Sequence, residues 1–591
     1  MDQYLYSPEK SVQVIVSLLK QYGINYVVAS PGATNVSLVA SLQSDPFFKI
    51  FSGPDERSAA YMACGMAEET GMPVVITCTG ATSSRNYMPG LTEAYYRKLP
   101  VLAITASQNY AYSGHMHPQF MDRTIQPRDL VLKSVQLPIV KGSEDLWECK
   151  MKVNDAIQEL TRRGGGPVHI NYITQYPSKG EYSNKLCDVS KVIRYTKKDL
   201  SEFSIPNVRI AIFVGSHRGF TKEETKAIDA FCATYDAVVF CDHTSNFKGK
   251  YRVFYPGLAT QEIDDDNLKL DILIHIGEIS GDYYTTGKLK SAKTVWRVSP
   301  DGEMRDYFKK LSAVFEMEEF EFFDFFANKG SSEEAPHCNY LESCLRIIDN
   351  YSQKILEAPF SNIWAASQLA KILPKNSVLH LGILNSLRSW NFFDVDPSIN
   401  IYSNVGGFGI DGGVSTMMGA SFIHPEKLYF GVFGDLAFFY DMNCLGNRDV
   451  RNNVRILLVN NGKGTEFRNY THSAYQFGED ADEFVAAARH YGNKSRSLVK
   501  HYAEDLGYEY HYANNKEEFA ASLERFVAPK LTEKPMIFEI FTDSTDESDA
   551  LKMARSLMRD TSSLKNRAIK TVKNEIVSLI GKDKIKKILK K

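Results

Sequence analysis

The chain has no run of about eighteen apolar residues, the length a helix needs to cross a bilayer. Its first residues, MDQYLYSPEK, do not follow the basic-then-apolar pattern of a secretory leader. Neither sign of charge is in excess: 69 Lys and Arg stand against 71 Asp and Glu, a net charge of -2. No bulk attraction to nucleic acid is expected from that balance, and a cytoplasmic location is expected. The nine cysteines (Cys64, Cys78, Cys149, Cys187, Cys232, Cys241, Cys338, Cys344, Cys444) have no paired spacing. They read as reduced core residues, not as a disulfide frame or a zinc cluster. Internal repeats and low-complexity stretches are missing. What remains is 591 residues, 43% apolar and 24% charged, the composition of a soluble globular protein with about three domains.

Helical and strand patterns alternate along the chain, which implies parallel, doubly wound sheets. In residues 1–185 the spacing predicts helices over Val12–Tyr22, Val36–Leu42, Ser58–Glu69 and Tyr87–Tyr96. Strands are expected at Asn25–Ala29, Pro73–Thr77 and Val101–Thr105, with turns at Ser30-Pro31-Gly32 and Thr79-Gly80-Ala81. Residues 186–350 read as a second α/β domain with strands at Val208–Val214, Ala237–Cys241 and Ile272–Ile276. The aromatic, acidic stretch 315–326 reads as a half-buried helix or a strand pair, and 330–336 as a linker. Residues 355–546 form a third α/β unit with a strand at Val378–Leu381. Residues 547–591 are a basic tail with Ile569, Val572, Ile576, Leu579 and Ile580 at helical spacing. Such a helix either lies on an anionic membrane or acidic partner or is a packed helix with a solvated end.

The third unit carries the densest motif, Tyr402 to Phe467: YSNVGGFGIDGG, then FGVFGDLAFFYDMNCL, then ILLVNNGKGTEF. Val432-Phe433 ends a buried strand with Gly434-Asp435 at its carboxyl end. A helix-like run of about 25 residues with its turns follows, then a strand at Ile456–Val459 closed by Asn460-Asn461-Gly462. In a parallel sheet the carboxyl ends of strands line one crevice, where ligands bind. One carboxylate and one amide would then face a common point. Oxygen donors of that kind suit Mg²⁺, which binds through a few protein oxygens and substrate phosphates. The glycines let backbone approach a diphosphate.

This pattern resembles the cofactor motif of the thiamine diphosphate (ThDP) enzymes: Gly-Asp-Gly, some two dozen residues, then Asn-Asn. Leu436 stands where the third residue is usually Gly. With GDLxxxYDxNxL, SNxGxxGIDG and the upstream Asn385-Ser386-Leu387, that departure is similar to the branch of menaquinone-pathway synthases that join 2-oxoglutarate to isochorismate. The resemblance implies three domains, pyrimidine-binding, central and diphosphate-binding. It implies ThDP and Mg²⁺ as cofactors, and a 2-oxoacid and an acceptor as substrates. It also implies a homodimer or dimer of dimers, with the cofactor held between subunits.

Residue by residue, it implies that Asp435 and Asn461 bind Mg²⁺ through side chains and Lys463 through its carbonyl. Asn385 and Ser386 would touch the diphosphate. Phe408, Gly434, Leu436, Ala437, Gly464 and Thr465 would complete the cradle, and Ile410 would prop the cofactor into its bent shape. Glu56, in Gly53-Pro54-Asp55-Glu56-Arg57, corresponds to the glutamate that binds the aminopyrimidine ring. A desolvated carboxylate there drives the tautomer shift by which the cofactor loses its proton. Read from the residues alone, Asp55-Glu56 equally begins a helix, where carboxylates favour the dipole. In His115-Met116-His117-Pro118-Gln119, Gln119 is the preferred substrate contact, then His115 and His117. Plain loop residues and a weak metal site are the alternatives.

The Gly215-Ser216-His217-Arg218-Gly219 turn lacks the GxGxxG pattern, so an empty central domain is favoured over bound FAD. The synthase branch holds substrate carboxylates with arginines that are missing here, at Ser30-Pro31-Gly32-Ala33-Thr34, at Ser403-Asn404-Val405-Gly406 and at Trp390. Loss of such forks is not conservative. It leads us to expect a different acceptor, with Arg85 and Arg388 as remaining carboxylate or phosphate contacts. Open alternatives are a non-ligating decarboxylase, an FAD-containing acetolactate-synthase-like enzyme, a carboligase that branches keto-sugars for surface polysaccharide, and a ThDP-fold protein without catalysis.

Overall fold

A computed structural model describes residues 4–80, 82–178, 181–261, 269–330, 339–354, 357–490 and 494–558. The expected linker after Gly330, Cys338, Ala81 and the basic stretch from residue 559 lie outside the described residues. The chain divides into two compact units, one of residues 1–198 and 301–316, the other of 199–300 and 317–591.

The first unit is built on six parallel strands: β1 (Tyr26–Ala29), β2 (Lys49–Ser52), β3 (Val74–Cys78), β4 (Val101–Ser107), β5 (Lys133–Gln136) and β6 (Val168–Ile173), in the order β2-β1-β3-β4-β6-β5. Strands β3 and β4 are buried at every residue, as central strands of a sheet covered on both faces must be. That is why VVITC and VLAITAS are continuous apolar runs and not alternating ones. The helix Glu56–Thr70 starts where the Asp55 side chain accepts the Ser58 N–H at 2.7 Å, and ends at left-handed Gly71. Its buried face is Ala59, Ala60, Ala63 and Ala67, small enough for the helix Met88–Arg97 to close on it. The crossing falls at Gly90, where an added Cβ would lie 2.4 Å from that of Ala60. The unit also holds a parallel pair, β7 (Ile193–Tyr195) and β13 (Leu311–Glu316).

In the second unit β8 (Ile210–Val214), β9 (Val238–Cys241), β10 (Arg252–Phe254), β11 (Ile272–Ile276) and β12 (Thr294–Ser299) follow the order β10-β9-β8-β11-β12. A further sheet has β14 (Val378–Leu381), β15 (Asn400–Tyr402), β16 (Tyr429–Gly434), β17 (Val454–Asn460), β18 (Glu509–Ala513) and β19 (Met536–Phe541), ordered β15-β14-β16-β17-β19-β18. Its core joins Leu379, Leu381, Phe430, Val432, Leu457 and Phe538. The recorded pairs are parallel and helices run between the strands, so the fold is α/β with three doubly wound sheets, as expected.

Three local expectations change. The run after Asp435 is a seven-residue helix, Asp435–Asp441, and one 3-10 turn, Met442–Gly446. The Asn447 side chain then accepts the Asp449 N–H at 2.9 Å, a turn that offers the backbone an alternative to helix. The aromatic stretch divides: Phe315 belongs to β13, and Glu319–Lys329 is a helix that buries Phe322, Phe323 and Phe326. The helix Ser544–Arg555 runs through residue 546, with Ala550 and Ala554 fully buried, so the chain stays packed beyond the point where a tail was expected. Among the described residues no helix is long and apolar enough to cross a membrane, and the described cysteines are unbridged.

Candidate active site

In the last sheet β15 lies on one side of β14 and β16 on the other. The carboxyl ends of β14 and β16 therefore flank a topological switch point, where open α/β sheets bind ligands. β16 ends in Gly434, and Asp435 opens the following helix, buried. One carboxylate oxygen accepts the Leu436 N–H at 2.7 Å, the other the Gly462 N–H at 2.6 Å. Gly462 turns that N–H inward with φ of 81°, which a side chain would resist. Burial pushes the Asp435 carboxyl up to about 6, although these N–H groups oppose it.

The two asparagines after β17 part company. Asn460 donates to Glu539 at 2.7 Å inside the core, where the Tyr510 hydroxyl takes the other carboxylate oxygen. Asn461 lines the cavity beside Asp435. That cavity, of about 170 Å³, brings together Asn385, Ser386, Ile410, Gly434, Asp435, Leu436, Ala437, Asn461, Lys463, Gly464 and Thr465. The Asn385 amide donates to the Thr465 hydroxyl at 2.8 Å, joining the loop after β14 to the loop after β17. The Lys463 ammonium is held by Asp482 at 2.6 Å. Phe408 is not on the cavity wall; it has φ of 58° and its ring lies 5.6 Å from that of Tyr283.

Several wall residues had no signal in the sequence. Leu384 holds φ of 66° and ψ of -114° at the turn out of β14, a strained backbone of the kind that collects at functional sites. Glu547 enters from the last described helix. Its carboxylate accepts the Asn362 N–H at 3.0 Å and the Thr542 hydroxyl at 2.7 Å, and burial pushes it up to about 7. The Asn362 amide donates to Ser386 at 3.3 Å, while its Oδ1 is buried without a partner. Arg388 is not free: it forms a two-point pair with Glu466 at 2.6 and 3.1 Å and donates to Asn385 Oδ1 at 3.1 Å.

The donor set fits a hard divalent cation and a diphosphate. A buried carboxylate with only N–H partners, a neighbouring amide and an unpartnered buried amide oxygen are the oxygen donors that such a cation takes. Glycine backbone and hydroxyls face the same space.

In the first unit Glu56 is half-buried at the start of its helix and accepts the Asn86 amide at 3.3 Å. The Ser30-Pro31-Gly32 turn packs on the turn after β3: the Thr34 and Thr79 hydroxyls are 2.7 Å apart, and Thr34 accepts the Gly80 N–H at 3.0 Å. Gln119 has φ of 58° and is exposed, as are His115 and His117, whose ring stacks on Tyr112 at 4.4 Å. Among the described residues no three His, Cys, Asp or Glu side chains gather to hold a metal, these histidines included. Arg85 is exposed and donates to the Asp122 carbonyl at 3.2 Å. The positions of the missing arginines are buried: Thr34, Val405 and Trp390.

The Gly215–Gly219 turn lies at the switch point of the central sheet, between β8 and β11. Gly215 packs so closely on the loop after β11 that a Cβ would sit 1.9 Å from the Glu278 carbonyl oxygen. The Glu278 N–H also bonds the Ser216 carbonyl at 2.9 Å.

Residues 10–125 match the family model described as the thiamine pyrophosphate enzyme, N-terminal TPP binding domain. Over 578 residues, 93% of this chain and 98% of the relative, the chain is 31% identical to the 2-succinyl-5-enolpyruvyl-6-hydroxy-3-cyclohexene-1-carboxylate synthase of Bacteroides thetaiotaomicron. Synthases of the same name from Bacteroides fragilis and Phocaeicola vulgatus are each 29% identical. They match 571 and 573 residues, 93% of this chain in both cases and 99% and 98% of the relatives.

Proposed function

The chain belongs to the family of the 2-succinyl-5-enolpyruvyl-6-hydroxy-3-cyclohexene-1-carboxylate synthases, and from that premise we propose a ThDP- and Mg²⁺-dependent enzyme that decarboxylates a 2-oxoacid and passes the remaining carbon unit to an acceptor. The observation that carries this reading is the pairing of Asp435 and Asn461 at one switch point, with Gly462 bent inward to hold the carboxylate. ThDP, when bound, supplies the carbon that attacks the 2-oxoacid and accepts the electrons released with CO₂.

The protein's share is placement and proton traffic. Asp435 and Asn461 offer side-chain oxygens and Lys463 its carbonyl to the cation. Asn385, Ser386 and Thr465 would give hydrogen bonds to phosphate oxygens, and Ile410 would supply apolar bulk against the cofactor, a proximity effect. Glu56 takes or shares a proton at the aminopyrimidine ring, and Asn86 orients its carboxylate. Gln119, His115 and His117 sit in an exposed loop suited to meet substrate. A homodimer or dimer of dimers is part of the proposal.

The acceptor is proposed to differ from that of the relatives, because Thr34, Val405 and Trp390 offer no guanidinium where a carboxylate would be held. The close packing of Gly215 on the loop after β11 supports a reading without a nucleotide there. Glu56→Gln tests the assignment. Turnover of 2-oxoacids, followed as CO₂ release, is expected to fall by roughly 10²–10⁴, the usual worth of a positioned acid–base group. ThDP affinity by calorimetry is expected to change far less. Full turnover in the variant would overturn the role of Glu56. Mass spectrometry of products with and without an acceptor separates transfer from simple decarboxylation.

A further inference from the structure

The helix Ser544–Arg555 lines two cavities. Its Glu547 faces the cavity that holds Asp435 and Asn461, while Ser548, Leu551, Lys552 and Arg555 line a second one of about 280 Å³. These four are spaced i, i+3, i+4 and i+7, so they share one face of the helix. The opposite wall is the chain that runs on from the loop after β17. Gly464 to Phe467 face the first cavity, Tyr470 and Thr471 the second. The Ser548 hydroxyl ties the two walls together by donating to the Arg468 carbonyl at 3.0 Å. The cavities are therefore neighbours along both walls.

The second cavity is cationic: its lining holds Lys552 and Arg555 and no carboxylate. Two like charges three residues apart on a helix repel. Asp549, one turn before Lys552, is engaged by the Tyr470 hydroxyl at 2.6 Å, and among the described residues neither cation makes an ion pair. Lys552 Nζ stands 5.4 Å from the centre of the Tyr470 ring, and Arg555 Cζ 4.7 Å from that of Tyr284. The aromatic faces hold both heads in place without neutralising them. Cations in the last turn of a helix favour its dipole wherever they point. These two also flank a cavity close in size to the smaller ligand sites, roughly 300 Å³. Thr471, Ser548 and Ser556 add hydroxyls to the lining. Ser548 and Ser556 give their protons to backbone carbonyls, Ser556 to that of Met553 at 3.1 Å, and so offer lone pairs to hydroxyls on a ligand.

We propose that Lys552 and Arg555 form the subsite that holds the anionic group, carboxylate or phosphate, of a hydroxylated acceptor beside the cofactor. The inference rests on the reading of the chain as an enzyme that passes a carbon unit to an acceptor. It draws cations from the last described helix, where Thr34, Val405 and Trp390 offer none and Arg388 is held by Glu466.

The test uses the full-length protein with Mg²⁺ and ThDP. Binding of gluconate, glucose 6-phosphate and uncharged glucose is measured by calorimetry in the native chain, Arg555→Gln, Lys552→Gln and the double variant. The native chain is expected to bind one of the two anions more tightly than glucose, and the preferred anion identifies the group. Arg555→Gln should weaken that anion by roughly 10- to 100-fold, as loss of a charged hydrogen bond does. The exposed Lys552→Gln should lose less, and the double variant more than either. ThDP binding in each variant reports that it is folded. Anion binding equal to that of the native chain in folded Arg555→Gln overturns the subsite. So does a native chain that binds ThDP but neither anion, or binds glucose as tightly as the anions. If Arg555→Gln does not fold, Lys552→Gln decides: unchanged anion binding there overturns the subsite as well. Failure of the native chain to bind ThDP sinks the functional reading instead. Anion binding that still depends on Arg555 in that case keeps the subsite and removes its link to transfer.

Discussion

The first and last sheets share one strand order, β2-β1-β3-β4-β6-β5 against β15-β14-β16-β17-β19-β18, yet their carboxyl edges carry different chemistry. The last sheet presents Asp435, Asn461 and a ring of hydroxyls, amides and glycine backbone around one cavity, donors of the kind a cation and phosphate take. The first presents Glu56 and an exposed loop with Gln119 and two histidines. A doubly wound sheet supplies the crevice, and the residues one or two places past each strand decide what enters it. Both sheets bury a histidine pushed downward, His169 in the first and His380 in the last, and beside the last sheet the carboxyls of Asp435 and Glu547 are pushed upward as well.

The contrast breaks first at the cation. Asp435→Asn is expected to weaken Mg²⁺-dependent ThDP binding by at least about 100-fold, beyond the loss usual for groups that only support a ligand. Glu56→Gln should instead spare binding and lose turnover. Titration calorimetry of both variants separates the two edges; equal loss of ThDP affinity in both would erase the distinction.

The pH dependence of the cofactor-free protein gives a smaller effect. Glu547 is raised from 4.5 to about 7 in the folded state. Between those values the folded chain holds the proton more tightly than the unfolded chain does. The contribution to stability is therefore present below pH 4.5 and lost as pH rises through 7, about 3 kcal/mol in all. Glu547→Gln should flatten that slope in urea unfolding measured from pH 4.5 to 8. A slope unchanged by the substitution would show that another group sets it.

The smallest expected effects come from two helical glycines of the first unit. Gly90→Ala places a Cβ against Ala60 and should cost about 1–3 kcal/mol, as overpacking does. Gly65→Ala meets nothing within 4 Å and should gain about 0.5–1 kcal/mol from helix propensity. Opposite signs in urea midpoints locate the helix crossing; equal signs would displace it.

How much could be read early differs along the chain. The strands Val378–Leu381 and Ile272–Ile276 match their apolar runs to the residue. Most helices of the first unit agree within about two residues, because one buried face leaves apolar residues at helical spacing. The cavity wall was also largely readable, since Asp435, Asn461, Asn385 and Ser386 sit in local motifs at strand ends. The helix after Asp435 was overestimated because apolar periodicity continues past the turn that stops it.

The sequence by itself determined the class of fold, the strand ends that line the cavity, and the carboxylate and amide that meet there. Those features are local, set by hydrophobic runs and by glycine and turn chemistry within a few residues. Only the tertiary structure decided that Glu547 caps Asn362 from 185 residues away. It alone locked Arg388 onto Glu466 across 78 residues. Parallel crossovers set such meetings by the order of strands in a sheet, and no spacing along the chain encodes which distant side chains a crossover will bring together.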